Sequence, residues 1–167
     1  MKALIIEGSH RKEGNTSTVA LTLGSHLQAD MVSLYEYNIG HYEYDHSNAT
    51  DDFIPLMKKA LNYDLIILAT PIYWYTMSGR LKVFMDRLSD CVQTHKSIGR
   101  ALAGKKLAAI CCGGDRTEFD GFFMPFALTA EYLDMTYLGD LHTWIANNEV
   151  SKEVENRLKK FSEKLKS

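Results

Sequence analysis

The chain has 167 residues, 46% of them hydrophobic and 24% charged, with a formal net charge of −2. That length and apolar content suit one domain over residues 1–167 with its own core, and the weak charge without a Lys/Arg run excludes the footprint of a nucleic-acid or anionic-membrane binder. The opening residues, Met1 to Glu7, are too short an apolar stretch for a signal peptide, and no run approaches the ~18 apolar residues of a membrane span. Three cysteines, two of them adjacent as Cys111-Cys112, suit buried thiols in a reducing compartment better than a disulfide framework. The expectation is a soluble cytoplasmic protein.

Apolar runs of strand length alternate with segments of helical periodicity. The first strand is read as Lys2 to Glu7, followed by a loop and a helix with Val19, Ala20, Leu23 and Leu27 on one face. Met31 to Tyr37 reads as a shorter, more polar second strand, and Phe53, Leu56, Met57, Ala60 and Leu61 recur at helical spacing, with Asp52 as cap and Pro55 in the first turn. Leu65 to Ala69 is a continuous apolar run, expected of a central strand covered on both faces. Leu81, Phe84, Met85 and Leu88 mark a helix capped by Ser78. Lys106 to Cys112 is another strand ending in Gly113-Gly114, and residues 122–133 read as a helix despite Pro125. Thr136 to Trp144 supplies a fifth strand, and a closing helix carries Val150, Val154, Leu158, Phe161 and Leu165 inward.

Five strands alternating with about five helices predict an α/β three-layer sandwich of flavodoxin-like winding, a parallel sheet of order 2-1-3-4-5. In such sheets ligands sit beyond the carboxyl ends of the strands where the winding reverses, between strands 1 and 3. Three loops therefore matter most: residues 8–17, 70–79 and 113–121.

The first, Gly8-Ser9-His10-Arg11-Lys12-Glu13-Gly14-Asn15-Thr16-Ser17, supplies hydroxyls, an amide and two cations, then opens a helix whose free N–H groups favour a phosphate. The competing reading is a turn with ordinary capping by Asn15 or Thr16; the order strand, hydroxyl-rich loop, helix favours a phosphate monoester. A Walker loop is excluded because Asn15 follows Gly14 where lysine is needed, and Gly-x-Gly-x-x-Gly is absent. A cysteine phosphatase would need a thiol at the strand end, and a phospho-receiver would need carboxylates beside Glu7. The second loop, Thr70 to Gly79, carries Pro71, Ile72, Tyr73, Trp74 and Tyr75, an aromatic surface suited to a flat isoalloxazine ring or simply to covering the sheet edge. In the third, Gly113 and Gly114 allow close approach to a ring, or end a strand.

Gly8-Ser9-His10-Arg11 with Gly14-Asn15-Thr16, then Pro71-Ile72-Tyr73-Trp74, then Ser78-Gly79, Leu81-Lys82 and Asp86-Arg87 together resemble the NAD(P)H-dependent FMN reductase family, including its iron–sulfur flavoprotein branch. The resemblance implies FMN as cofactor, its phosphate held by Ser9, Arg11, Asn15, Thr16 and Ser17 with His10 in the same loop. Pro71, Ile72, Tyr73 and Trp74 would line the ring, with Gly113, Gly114 and Asp115 approaching from the other side. The cluster-bearing branch has closely spaced cysteines after strand two; here residues 38–46 contain none, which argues against a cluster. His41, Asp45 and His46 are read as a solvated polar loop, with no metal expected.

No catalytic side chain is called for, since FMN would carry the chemistry from NADH or NADPH to a small acceptor such as a quinone or free flavin, in a ping-pong order. The runner-up is a non-enzymatic FMN electron carrier with a protein redox partner, and a third reading is a flavin-responsive interaction module. Arg11, Lys12, Arg80 and Arg116 are candidates for a second phosphate. The apolar stretch Phe119, Phe122, Phe123, Met124 and Phe126 is expected either to form a homodimer surface, as the resemblance also implies, or to cover the core.

Overall fold

The computed structural model describes residues 1–146 and 149–167. The apolar runs form β1 (Ala3–Glu7), β2 (Asp30–Ser33), β3 (Leu65–Pro71), β4 (Lys106–Gly113) and β5 (Thr136–Trp144) of one all-parallel sheet, order β2-β1-β3-β4-β5, as the sequence predicts. β3 is buried along its whole length, which is why its residues need no polar alternation.

Side chains alternate across the sheet into two cores. On one face Ile5, Ile67 and Ile110 meet Val19 and Leu23 of α1 (Asn15–Leu27) and Val154, Leu158 and Phe161 of α7 (Lys152–Lys166). On the other, Ile6, Leu68 and Ala109 meet Leu56 of α2 (Phe53–Ala60), Leu81 of α3 (Gly79–Asp86) and Phe126 of α6 (Met124–Tyr132). Each fully buried Leu, Ile or Phe contributes roughly 1.5–3 kcal/mol. Two short helices not foreseen in the sequence, α4 (Leu88–Gln93) and α5 (Lys96–Leu102), bring Cys91, Ile98 and Leu102 into the second core.

Several boundaries differ from expectation: Leu88 opens α4 instead of ending α3, and Val150 precedes α7. β2 stops at Ser33, whose hydroxyl accepts from the Tyr35 N–H at 3.4 Å and starts a 3₁₀ turn over Leu34–Glu36. The sixth helix begins at Met124, with Pro125 in its first turn where no N–H is required. Asp52 occupies the cap position of α2 without capping it: its carboxylate accepts from Asn38 N–H at 2.7 Å, and Asp51 takes the Phe53 N–H at 2.9 Å.

Because β2 lies outside β1, the crossovers to β2 and back to β3 run over opposite faces, placing α1 and α2 on opposite sides of the sheet. The carboxyl ends of β1 and β3 thus open onto a crevice flanked by three loops.

Candidate cofactor site

The first loop leaves β1 under tight control. Gly8 N–H donates to Ala69 O at 2.9 Å, and Gly8 O accepts from the Ser78 hydroxyl. A Cβ on Gly8 would lie 2.7 Å from the Leu81 Cβ, so only glycine lets the chain pass this close to α3. Glu7 is fully buried, its carboxylate accepting from Ser9 N–H and the Ser33 hydroxyl, each at 2.9 Å. The Ser9 hydroxyl donates to Arg11 O at 2.6 Å and that of Ser17 to Lys12 O at 3.2 Å. These two hydroxyls, read from the sequence as phosphate ligands, brace the loop here.

The end of α1 remains open to a ligand. Its cap residue, Gly14, has no side chain to offer, so the N–H groups of Asn15, Thr16 and Ser17 start a 13-residue helix without side-chain capping. That end carries partial positive charge. Arg11 and Asn15 are exposed beside it, whereas Lys12 turns away to pair with Glu36 at 2.6 Å. His10 stacks on Tyr73 with ring centroids 6.0 Å apart and planes 18° from parallel, joining the first loop to the second.

In the second loop Pro71 is buried as the last residue of β3, and Ile72 N–H donates to Cys112 O at 3.2 Å. Tyr73 and Thr76 then exchange hydrogen bonds of 2.9 and 3.1 Å across a tight hairpin. Its tip is Trp74 and Tyr75, at φ of 49° and 67°. Left-handed backbone at residues with a Cβ costs roughly 1–2 kcal/mol each, and strain of this kind concentrates at functional sites. Trp74 is 90% exposed, so its indole stands free above the strand ends. Tyr75 meets Phe119 of the third loop edge-on at 5.1 Å. Ser78 closes the loop as the cap of α3, accepting from Leu81 N–H at 3.1 Å.

In the third loop Gly113 ends β4 and Gly114 faces open space; a Cβ on Gly113 would lie 3.2 Å from His142 Nε2 and 3.3 Å from Ile72 Cδ1. Exposed Asp115 accepts from Thr117 N–H at 2.8 Å. The loop is tied to α7 by the ion pair of Arg116 with Glu153 and that of Glu118 with Arg157, the latter at 3.1 Å.

Two further residues matter around these loops: Arg87, named in the sequence only as the end of the Asp86-Arg87 motif, and His142, which sequence reading did not single out. Arg87, 1% exposed, bonds Asp51 and Asp90 and the carbonyls of Gly40 and Asn48, pinning residues 38–52. That segment holds Ile39 and exposed His41 beside a cavity of about 360 Å³ shared with His10 and Gly79; His46 lies apart, its Nδ1 3.4 Å from Asp90. His142, 4% exposed, lies behind Gly113. A larger cavity of about 550 Å³ runs between α4 and α6 on the flank.

A helix end with free N–H groups, an exposed aromatic hairpin and a glycine edge thus converge at one switch point, an anion seat next to a flat wall. That arrangement fits a phosphorylated heterocycle such as FMN. The family described as NADPH-dependent FMN reductase matches residues 1–149. The chain belongs to that family. This FMN reductase relative is 28% identical over 149 residues to the putative NAD(P)H-dependent FMN-containing oxidoreductase YwqN of Bacillus subtilis, covering 83% of this chain and 82% of the other. It is 32% identical over 109 residues to the FMN-dependent NADPH-azoreductase of Staphylococcus aureus, 59% and 58% of the two chains. Among solved structures it shares its fold with the Trp repressor binding protein of Bacillus subtilis, at TM-score 0.77 and 24% identity over 98% and 97% of the chains. It also resembles an FMN-dependent NADH-azoreductase of Bacillus anthracis in complex with FMN, at TM-score 0.72 and 12% identity over the full length of both. FMN and a reduced pyridine nucleotide are the family's redox pair.

Proposed function

We propose that this protein passes reducing equivalents from NADH or NADPH to a small acceptor, a quinone or free flavin, through FMN held at the β1–β3 switch point. The observation that carries this reading is the uncapped N-terminus of α1 facing the same strand ends as the strained Trp74–Tyr75 tip. In this reading the N–H groups of residues 15–17, with Arg11 and Asn15, hold the phosphate, and Ser9 and Ser17 keep the loop in shape. His10, Ile72, Tyr73 and Trp74 form the wall for the ring, Pro71 fixes where that wall starts, and Gly113, Gly114 and Asp115 approach its other edge. FMN when bound supplies the two-electron chemistry; the chain orients it and leaves one open face for donor and acceptor in turn.

The test is to mix the protein with FMN and either pyridine nucleotide without oxygen, then run steady-state kinetics with a quinone. Bleaching of the flavin absorbance and parallel double-reciprocal lines are expected. Binding of FMN without any bleaching would favour an electron carrier fed by a protein partner.

We also place the protein in the cytoplasm: Cys91, Cys111 and Cys112 are free and buried, and no helix among the described residues is long and apolar enough to cross a membrane. The apolar stretch expected either to form a dimer surface or to cover the core is largely core, with Phe122 and Phe126 buried and Phe119 and Phe123 packed against the same cluster. The exposed stripe is Met124, Leu128 and Tyr132, one helical face of α6 beside the flank cavity. We place a homodimer contact there; sedimentation as a monomer at micromolar concentration would overturn it.

A further inference from the structure

Among the described residues, neither ring nitrogen of buried His142 has a hydrogen-bond partner. Buried polar atoms are normally satisfied, so this imidazole calls for a group that completes it. His142 lines a cavity of about 140 Å³ between the end of β5 and the third loop, walled by Ile72, Phe119, Phe122 and Phe123. That volume matches the ~150 Å³ of an apolar cavity that accepts a single benzene ring.

The polar groups facing the ring define what chemistry fits. Glu118 Oε1 lies 4.0 Å from Nδ1, and Arg157 neutralises Glu118 at 3.1 Å; Asp140 lies at the rim of the cavity, and Asp115 approaches from the third loop. Burial, set against Glu118 and helped by Arg157, holds His142 below its ordinary pKa. The ring is therefore neutral near pH 7, offering one N–H and one lone pair. A neutral hydrogen-bonding oxygen on an aromatic ring satisfies one of its ring nitrogens; Glu118 is already paired with Arg157, and Asp140 accepts from the Tyr137 hydroxyl at 2.8 Å.

We propose that this cavity binds one small neutral hydroxyarene, a phenol, with its oxygen on His142 and its ring among Ile72, Phe119, Phe122 and Phe123. The third loop covers the cavity: residues 114–120 lie between Gly113 and Gly121, the latter at φ 77°, and, among the described residues, are tied to α7 only by the exposed pairs Arg116–Glu153 and Glu118–Arg157. The site shares Ile72 with the proposed flavin wall but lies behind Gly113, and it needs neither FMN nor turnover.

The test titrates 4-fluorophenol into the full-length protein as isolated, followed by fluorine NMR and by the imidazole resonances of nitrogen-labelled histidine. Saturable binding that moves the His142 ring signals is expected. Fluorobenzene, which lacks the hydroxyl, should bind at least tenfold more weakly. His142→Phe keeps a ring against Trp144, now stacked at 5.9 Å, and should weaken 4-fluorophenol at least tenfold. Non-saturable behaviour would mean the cavity holds only water and would overturn the proposal. Equal affinity for the two probes, or undiminished binding to the variant, would do the same, since a phenol on the flavin face would survive loss of His142. If the variant does not fold, the comparison of the two probes on the unaltered protein decides.

Discussion

Ser78 and Gly8 are 70 residues apart, yet the Ser78 hydroxyl donates to the Gly8 carbonyl in a fully buried contact while accepting from Leu81 N–H. One side chain thus fastens the exit of β1 to the start of α3, the two walls of the crevice. Ser78→Ala removes a helix cap and leaves a buried carbonyl without its partner, a cost of about 1–3 kcal/mol. Urea unfolding should show that loss, and FMN titration by fluorescence quenching should show weaker binding. Unaltered FMN affinity in a destabilised variant would separate this contact from the cofactor seat.

Trp74 combines a costly backbone with a side chain that packs on little. Trp74→Gly relieves roughly 1–2 kcal/mol of left-handed strain, partly offset by the entropy of glycine in the unfolded chain. The melting temperature without FMN should hold or rise, and the gain in melting temperature on adding FMN should shrink. A variant that melts lower without FMN would show that the hairpin tip is structural.

Arg87 is the cation of a buried cluster, donating to Asp90 at 2.7 Å and to Asp51, with its guanidinium 4.9 Å from the Phe53 ring centre. Arg87→Met strands two carboxylates, which costs about 3–5 kcal/mol. Burial pushes the Asp51 carboxyl up, but Arg87 and the N–H groups of Phe53 and Gly40 together outweigh it and hold it below its usual 3.8. A carboxyl whose folded pKa lies below the unfolded one binds its proton first in the unfolded chain. Its stabilisation is therefore complete above about pH 4 and fades as pH falls through the folded value. Melting temperatures between pH 6 and pH 2 should drop at the acid end, and Asp51→Asn should flatten that drop.

The thiols should be inert. Burial pushes Cys91 up to about 12 and Cys112 up to about 11, and raises Cys111 further still. At pH 8 almost no thiolate is present to react. A disulfide reagent should label the native protein negligibly over minutes and all three cysteines once denaturant is added; rapid native labelling would contradict the buried placement.

The sheet was legible because strands covered on both faces must be apolar throughout, and Leu65 to Ala69 or Lys106 to Cys112 can hardly be anything else. β2 was over-extended because its end is decided by Glu7 and Ser33 meeting across the sheet, a contact no local string reveals. α4 and α5 have six and seven residues, too few turns to establish a period. The three loops were readable as strings, since hydroxyls, aromatics and glycines announce themselves. Their internal bonding was not: nothing in the residue types shows that Ser9 and Ser17 turn inward to Arg11 and Lys12 carbonyls, or that Trp74 and Tyr75 adopt a turn usually given to glycine and asparagine. His142 was invisible for the same reason, and Arg87 stood in a motif without its role showing, that role lying in neighbours such as Asp51, 36 positions away.

The fastening of the third loop to α7 lies in plain contact with solvent. Glu153 and Arg157 look like unremarkable surface charges, yet they are what ties the third loop to the closing helix. Ionic strength weakens such exposed pairs, so the grip of that loop on the helix should slacken as dissolved electrolyte rises, and it hangs on two codons remote from any binding chemistry.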